Sequence, residues 1–210
     1  MGVERISRLT GLAVASCLCF FAEASFGSER AARMPIGPFA IEQTEVSIGD
    51  FKAFARATRL ITTAELAGGG HEFSGSWAKR QGWTFERPTG AFAADNEPAV
   101  HVTWGEARDY CAYAGGRLPT RAEWRLAAYT EQRELPTDGF VRGRTYVFPV
   151  GDQPAGMNNN RRRHVAVGAT KRGVNGLYEM GANVWEWLAD RRDDEALTAG
   201  GSWWFGPEQS

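Results

Sequence analysis

The sequence predicts a single loop-rich domain in which short helices and strands are separated by long irregular segments. Three observations lead to this prediction. The chain has 210 residues, which is enough for one domain with a hydrophobic core. It contains 25 glycines and 8 tryptophans, and both counts are high for this length. Large aromatic side chains, each of which buries roughly 150–250 Å², can anchor segments that have little regular backbone structure.

The first half of the chain carries the signals of one strand, one helix and one long loop. Residues 39–46 alternate between apolar and polar side chains, which predicts a strand. Ser47 is a suitable N-cap, and the helix after it is expected to reach about Arg59. Its buried face should carry Phe51, Phe54 and Ala55. Residues 66–96 are rich in glycine with isolated aromatics and are predicted to form a long ordered loop.

Two capping boxes predict two further helices. Thr103 and Glu106 begin a helix that should run to about Ala114, and Thr120 and Glu123 begin the next one. In the first helix, spacings of three and four residues place on the buried face Trp104, Ala107, Cys111 and Ala114. In the second helix, the residues expected to point inward are Trp124, Ala127 and Ala128.

The N-terminus carries the pattern of an export signal. Residues 9–22 form an apolar run that follows two arginines, and a small-residue cleavage site ends at Ala24. The run is too short for a membrane-spanning helix. We therefore predict a signal peptide at residues 1–24, a tether at 25–36 and a domain at 37–210, in a secreted or periplasmic protein.

An alternative N-terminal processing site remains open at Cys17. Residues 14–17 loosely resemble a lipoprotein box, which would anchor the protein to a membrane through an acylated Cys17. The apolar run continues to Phe21, which favours plain secretion. Cleavage after Ala24 would leave Cys111 as the one cysteine, so no internal disulfide could form. Its place on the predicted buried helix face favours a packing residue over a nucleophile.

Charge argues against polyanionic partners. The formal net charge is -1, which removes the electrostatic case for binding nucleic acid or an anionic membrane. Arg161, Arg162 and Arg163 form a local basic cluster that we interpret as a solvated loop.

Residues 176–187 form the most unusual segment of the chain. They combine two tryptophans, two spaced carboxylates and a small-residue bend, and they follow neither a helical nor a strand period. This mixture predicts a tight irregular turn, anchored by buried aromatics, that directs carbonyls and acids towards one point. Such a point suits a hard cation.

Several motifs together resemble the sulfatase-modifying factor family, also called the formylglycine-generating enzyme domain. Each motif alone is weak, but their order along the chain is specific. The resemblance covers about residues 39–205 and implies an α+β, C-type-lectin-like fold with little regular secondary structure. The motifs are Thr44-Glu45-Val46, residues 97–104, Tyr110-Cys111, residues 117–124, residues 176–180, residues 183–187 and Gly200-Gly201-Ser202-Trp203.

The resemblance implies a structural calcium ion at the turn of residues 176–187. Its ligands would be side-chain oxygens of Glu179 and Glu186 and the backbone carbonyls of Ala182 and Val184. The alternative is that Glu186 only caps amides or pairs with an arginine. A second calcium site of the family would use Asn158 or Asn159, but its acidic half is not recognisable here.

The copper chemistry of the family is not expected in this chain. It requires a pair of cysteine thiolates, and the corresponding positions are Phe205 and Ser210. The three histidines, His71, His101 and His164, show no short spacing typical of a non-haem iron site. Relatives also continue to a further strand, so the domain is expected to be incomplete at its C-terminus, with an unpaired sheet edge.

Two hypotheses about function remain open. In the first, the chain is an exported enzyme that matures or oxidises a peptide or partner protein without thiolate-bound copper. In the second, it is a non-catalytic binding module on the same scaffold. Aromatic clusters serve peptide recognition in both cases. The candidate substrate-binding residues are Trp77, Trp83, Arg117, Glu123, Trp203 and Trp204. Trp124, Trp185 and Trp187 are expected in the core.

Overall fold

The computed structural model describes residues 31–73 and 75–209. The elements follow in the order β1 (Arg33–Ile36), β2 (Phe39–Glu42), α1 (Ile48–Thr58), α2 (Thr63–Leu66), β3 (His71–Phe73), β4 (Trp77–Lys79), α3 (Trp104–Tyr113), α4 (Arg121–Tyr129), a 3₁₀ turn (Val174–Gly176), β5 (Glu186–Arg192), β6 (Glu195–Ala199) and a 3₁₀ turn (Pro207–Gln209). Short elements of both kinds are joined by long turns. The prediction of a loop-rich α+β fold is therefore confirmed.

The helices begin where their capping residues predict. The Ser47 side chain accepts a hydrogen bond from the backbone N–H of Asp50, and α1 ends at Thr58, followed by the C-cap residue Arg59 in the left-handed region with φ 57°. The boxes of Thr103 and Thr120 both form, since each threonine accepts the N3 amide and each N3 glutamate accepts from the threonine N–H at 2.8 Å. These contacts satisfy amides that have no partner within a helix.

The strands of the described residues pair as three antiparallel two-stranded ladders, β1–β2, β3–β4 and β5–β6. Two predictions at the N-terminal end were wrong. Residues 33–36, expected within the tether, form β1, and Ile36 is fully buried because it lies in the core. The strand expected over residues 39–46 ends at Glu42, where its ladder with β1 ends.

The segment of residues 66–96 contains a hairpin that the sequence did not indicate. The strands β3 and β4 pair from His71 opposite Lys79 to Phe73 opposite Trp77. Each strand has three residues, so neither is long enough to show an alternating pattern. Gly70 extends the ladder, because its carbonyl accepts from Arg80 N–H at 2.8 Å.

Two apolar clusters form the main body of the domain. The first joins α4 to the turn before β5, and its buried members are Ile36, Trp124, Ala127, Ala128, Leu177, Met180 and Leu188. The second joins α1 to α3, and its buried members are Ile48, Phe51, Phe54, Ala55, Phe85, Tyr110 and Ala114. The inward faces predicted for α1 and α4 are both confirmed.

The inward face predicted for α3 is only partly correct. Ala114 is buried, but Trp104, Ala107 and Cys111 are half-buried. The helix is rotated so that Tyr110 contacts α1, with its ring 5.9 Å from that of Phe51. In the described part of the chain, no helix has the length and apolar character needed to cross a bilayer.

Candidate functional site

The turn that leads into β5 is irregular because several of its residues occupy the left-handed region. Glu179 has φ 55° and Asn183 has φ 64°. Leu177 and Met180 are buried at 2% and 6% exposure and hold the turn against the first core cluster. We predicted that buried aromatic side chains anchor this turn. That prediction was wrong for its two tryptophans, since Trp185 and Trp187 are only half-buried.

Asn183 is the hydrogen-bonding centre of this turn. It is fully buried, and its amide group donates to the Glu45 carboxylate at 2.6 Å and to the carbonyl of Val165 at 3.3 Å. Its side-chain oxygen accepts from the Asn158 amide at 2.7 Å and from the Val165 N–H at 2.8 Å. One side chain therefore joins three separate segments of the chain.

Three carboxylates lie near one another around the turn. Burial raises the pKa of Glu45 well above its ordinary value, and the neighbouring charges of Glu186 and Glu179 raise this pKa further. Burial also raises the pKa of Glu186 to about 7, although the Trp124 indole N–H donates to its carboxylate and opposes the rise. Burial thus leaves the negative charges of Glu45 and Glu186 poorly solvated.

The predicted metal ligands are brought into this turn with different partners. The Glu179 carboxylate accepts hydrogen bonds from the N–H of Gly168 at 2.8 Å and from the N–H and hydroxyl of Thr170 at 3.0 and 2.8 Å. Among the described residues, no backbone N–H donates to the carbonyls of Ala182 or Val184. A cavity of about 10 Å³, enough for about one water molecule, lies beside Glu179 and Ala182.

The donor set of the turn is made of hard oxygen atoms, which suits calcium. Across the described residues, no three histidine, cysteine, aspartate or glutamate side chains are grouped so that they could hold a metal ion. A cation at this turn would therefore depend on backbone carbonyls and water besides carboxylates. A divalent charge would also offset the repulsion among Glu45, Glu179 and Glu186.

A row of aromatic rings joins the β3–β4 hairpin to the C-terminal segment. Trp77 contacts Phe73 edge-to-face at 5.4 Å, and Phe73 stacks on Phe205 at 5.7 Å. Phe205 in turn contacts Trp185 edge-to-face at 5.7 Å. Trp77 is 70% exposed although it is large and apolar. A contiguous set of apolar side chains at the surface, rather than one exposed ring, marks a candidate interaction site.

Trp203 and Trp204 extend this row along the chain. Their rings meet edge-to-face at 5.7 Å, and the ring of Trp204 is 38% exposed. Trp203 is fixed by its backbone, since its N–H donates to the carbonyl of Asn183 at 2.9 Å. The aromatic surface, as we use the term below, consists of Phe73, Trp77, Trp185, Trp203, Trp204 and Phe205.

The other candidate substrate contacts lie in different surroundings. Arg117 and Glu123 are bonded to each other in a bidentate ion pair, at 2.8 and 2.6 Å, and Glu123 also caps α4. Arg117 lowers the pKa of Glu123 to about 2, with help from the Thr120 amide. Trp83 contacts the ring of His101 at 5.7 Å. None of these three side chains has a ring or ion-pair contact with the aromatic surface in the described residues.

The position that resembles the first thiolate of the family carries a packed aromatic ring. Phe205 contacts Phe73 and Trp185, as given above, and Ser210 lies outside the described residues. Cys111 belongs to α3, where it packs against the second core cluster. Burial raises the pKa of its thiol to about 11, which keeps it in the unreactive protonated form at neutral pH.

Two of the three histidines have structural partners. His164 is buried and its Nε2 lies 2.8 Å from the Glu97 carboxylate. His101 has its Nε2 3.0 Å from the carbonyl of Pro88, and burial lowers its pKa. These contacts fix the loops that carry the two rings.

Two buried polar residues were missed from the sequence. Glu45 accepts hydrogen bonds from the side chain of Asn183 and from the N–H of Val184 at 3.0 Å. Glu131, which is fully buried, forms an ion pair with Arg133 at 2.8 Å and accepts from the Asn175 N–H at 3.0 Å. Glu45 depends on partners about 140 positions away, and the burial of Glu131 depends on the distant Asn175 besides the neighbouring Arg133, so local spacing does not show that either glutamate is buried. Asn183 belongs to one of the family motifs, but the sequence did not predict that it joins three segments by hydrogen bonds.

Comparison with known proteins agrees with this architecture. A formylglycine-generating enzyme from Thermomonospora curvata is 32% identical over 201 residues, covering 81% of this chain and 65% of that protein. A hercynine oxygenase from Mycolicibacterium smegmatis is 30% identical over 170 residues, covering 67% of this chain and 38% of that protein. This chain thus spans less than two thirds of the length of either relative.

A solved structure, PvdO from Pseudomonas aeruginosa, shares the fold. It superposes with a TM-score of 0.54 and 19% identity, covering 80% of this chain and 70% of that structure. The family described as the sulfatase-modifying factor enzyme 1-like domain matches residues 20–210. The chain therefore belongs to the sulfatase-modifying factor family, in which formylglycine-generating enzymes and oxygenases are found.

Proposed function

We propose that this chain is an exported protein that binds a peptide or a segment of a partner protein at the aromatic surface and matures or oxidatively modifies it. The chemistry would not use copper held by a thiolate pair. The observation that carries the proposal is Phe205. Its ring lies where the family resemblance expects a thiolate, and it joins the hairpin aromatics to Trp185 in one row.

The shape of this row suits a polypeptide. Two edge-to-face pairs and one stacked pair, with centroids 5.4 to 5.7 Å apart, present ring edges and faces in several orientations. Aromatic side chains of this kind contribute much of the energy in peptide recognition because they desolvate large areas and lose little entropy. Two relatives, named as a formylglycine-generating enzyme and a hercynine oxygenase, support oxidative chemistry for the family.

Binding is tested by selection of random peptides on the purified protein, followed by fluorescence anisotropy with the selected peptides. We expect Trp77→Ala to weaken binding by about tenfold or more, because an exposed anchor is worth at least 1.4 kcal/mol when it becomes buried. Phe92→Ala is the matched control, since Phe92 and Trp77 are both 70% exposed and Phe92 packs against Arg87 instead. Equal losses in the two variants would contradict the proposal.

Modification is tested with the same peptides in air, with and without added copper, by measuring peptide mass. A change in mass without copper would support an enzyme, and no change with retained binding would support the non-catalytic module. Turnover of a cysteine-containing sulfatase peptide that depends on copper would contradict the argument from Phe205. Cleavage after Ala24, or acylation of Cys17, is checked by the mass of the protein exported from cells.

We also propose that the turn before β5 binds a structural calcium ion. Glu179 and Glu186 would supply carboxylate oxygens, and Ala182 and Val184 would supply carbonyls, so that the ion offsets the charge gathered there. We expect calcium to raise the melting temperature, since an ion bound only to the native state stabilises it by about 2.7 kcal/mol at a hundred times its Kd. An unchanged melting temperature after removal of calcium by a chelator would refute this assignment.

A further inference from the structure

A loop of three arginines is fixed to the backbone of the aromatic surface. The Asn160 side-chain oxygen accepts hydrogen bonds from the N–H of Arg162 at 2.7 Å and of Arg163 at 3.1 Å. Arg161 takes the left-handed conformation with φ 57°, and its N–H donates to the carbonyl of Trp203 at 2.8 Å. The loop of residues 160–163, which we call the arginine loop, is therefore held beside Trp203.

The charges of this loop are not neutralised by the described part of the protein. All three arginines are exposed, and no carboxylate of the described residues forms an ion pair with any of them. His164, the residue that follows the loop, pairs with Glu97. Glu208 follows the aromatic surface in the chain and is exposed. The loop thus carries three exposed arginines without an ion-pair partner among the described residues, and its backbone is bonded to that of Trp203.

We propose that the segment bound at the aromatic surface is acidic, with carboxylates that contact the arginine loop beside an apolar anchor on the rings. This inference rests on the proposed function and specifies the class of its substrate or partner. Guanidinium groups match carboxylates because each can donate two parallel hydrogen bonds. The aromatic rings then bind the apolar side chain that adjoins those carboxylates.

A peptide fits this surface better than a nucleic acid does. The protein has a formal net charge of -1, and the three arginines form one loop rather than a stripe that follows a phosphate backbone. A short acidic segment needs few cationic contacts, and the anchoring rings can supply the remaining affinity. Binding of nucleic acid at the arginine loop would therefore count against the proposal.

The experiment uses a pair of labelled peptides with the same tryptophan–leucine centre, flanked by glutamates in one and by glutamines in the other. We expect the glutamate peptide to bind about tenfold more tightly at low salt, since the small contributions of a few exposed ion pairs add to such a factor. Raising the salt concentration should reduce the preference because these charges are screened.

The protein variant that tests the loop replaces Arg161, Arg162 and Arg163 by glutamine. The matched control replaces three exposed arginines elsewhere, namely Arg125, Arg142 and Arg192, which changes the net charge by the same amount. We expect the preference for the glutamate peptide to vanish in the loop variant and to persist in the control. Loss in both variants would show that only the total charge matters and would overturn the proposal.

The remaining outcomes separate this inference from the proposed function. If both peptides bind equally and the Trp77→Ala variant binds neither, the aromatic surface is supported as the binding site and the preference for acidic segments is refuted. If neither peptide binds, or binding is indifferent to Trp77, the proposed function itself is contradicted. Equal binding of oligothymidylate and the glutamate peptide to the loop would also overturn the inference, because the loop would then recognise any polyanion.

Discussion

Two groups of tryptophans in this domain differ in whether the indole N–H group has a hydrogen-bond acceptor in the protein. Near α4 and β5, the indole N–H of Trp124 donates to Glu186, that of Trp104 to the carbonyl of Leu188 at 2.8 Å, and that of Trp187 to the carbonyl of Val102 at 3.0 Å. On the aromatic surface, by contrast, Trp77 and Trp203 have ring neighbours but no indole hydrogen bond to another described residue.

This contrast separates structural tryptophans from those available to a partner. An indole N–H taken out of water needs an acceptor, so a bonded indole marks a ring whose place is fixed by the fold. A ring that meets only other rings and water keeps its donor free for a ligand. Exposure alone does not make the distinction, since Trp187 and Trp203 are both half-buried.

The largest expected effect comes from removing a tryptophan whose indole N–H is hydrogen-bonded within the protein. Trp124 is 3% exposed in the first core cluster, so Trp124→Ala should lower the free energy of unfolding by about 3–5 kcal/mol, through lost burial and the cavity left behind. Trp77→Ala should change it by less than about 0.5 kcal/mol, because that ring is mostly exposed. Urea unfolding of the two variants measures both values. Similar losses of unfolding free energy in the two variants would contradict the distinction between structural and surface tryptophans.

The buried polar hub behind the turn should be nearly as sensitive. Asn183→Ala removes a donor to Glu45 and an acceptor for Asn158 inside the protein, so we expect a loss of about 2–4 kcal/mol. Asn159→Ala is the control, since Asn159 is half-buried and has no side-chain hydrogen bond among the described residues. Urea unfolding again gives the measurement. Equal losses of unfolding free energy at the two positions would show that the hydrogen bonds of Asn183 do not stabilise the fold.

The indole N–H itself can be tested without removing the aromatic ring. Trp187→Phe leaves the carbonyl of Val102 without its donor, and we expect a loss of about 1–2 kcal/mol in the free energy of unfolding. Trp203→Phe removes no indole bond of this kind and should cost clearly less. If Trp203→Phe is the more destabilising change in urea unfolding, the distinction by indole bonding is wrong.

Local signals in the sequence predicted much of this architecture. Ser47, Thr103 and Thr120 fixed the starts of three helices because capping depends on residues only three positions apart. Trp124 was placed correctly in the core because its neighbours follow a helical period. The ordered motifs identified the family, whose fold could not have been assembled from these elements alone.

Contacts between distant segments could not be predicted in the same way. The bond between Asn183 and Glu45 joins residues 138 positions apart, and the stacking of Phe73 on Phe205 depends on a hairpin whose strands are too short to recognise. Trp185 was expected in the core as one of the buried aromatics that anchor the turn. Its ring lies instead at the edge, where Phe205 meets it. Only part of the aromatic surface could therefore be predicted from the sequence.

The smallest expected effect concerns Arg117 and Glu123, which were candidates for substrate contacts. The pKa of Glu123 is lowered from 4.5 to about 2 by its bonds to Arg117 and the Thr120 amide. A group whose pKa falls on folding stabilises the native state above its unfolded pKa. That contribution is lost as the pH falls from about 4.5 through about 2. Because Arg117 is 64% exposed, solvent screening should limit the loss to about 0.5–1 kcal/mol.

Glu123→Gln tests this pair, because glutamine can still accept the capping hydrogen bond but carries no charge. We expect the variant to melt at a lower temperature than the wild type at pH 6, and the difference to shrink as the pH falls towards 2. Glu134→Gln is the control, since Glu134 is 84% exposed and lies 3.5 Å from Arg142. A difference that is independent of pH would mean that the ion pair does not stabilise the fold. Arg117 and Glu123 would then count as candidate contacts for a bound peptide. The residues available for binding would in that case include the start of α4 besides the aromatic surface.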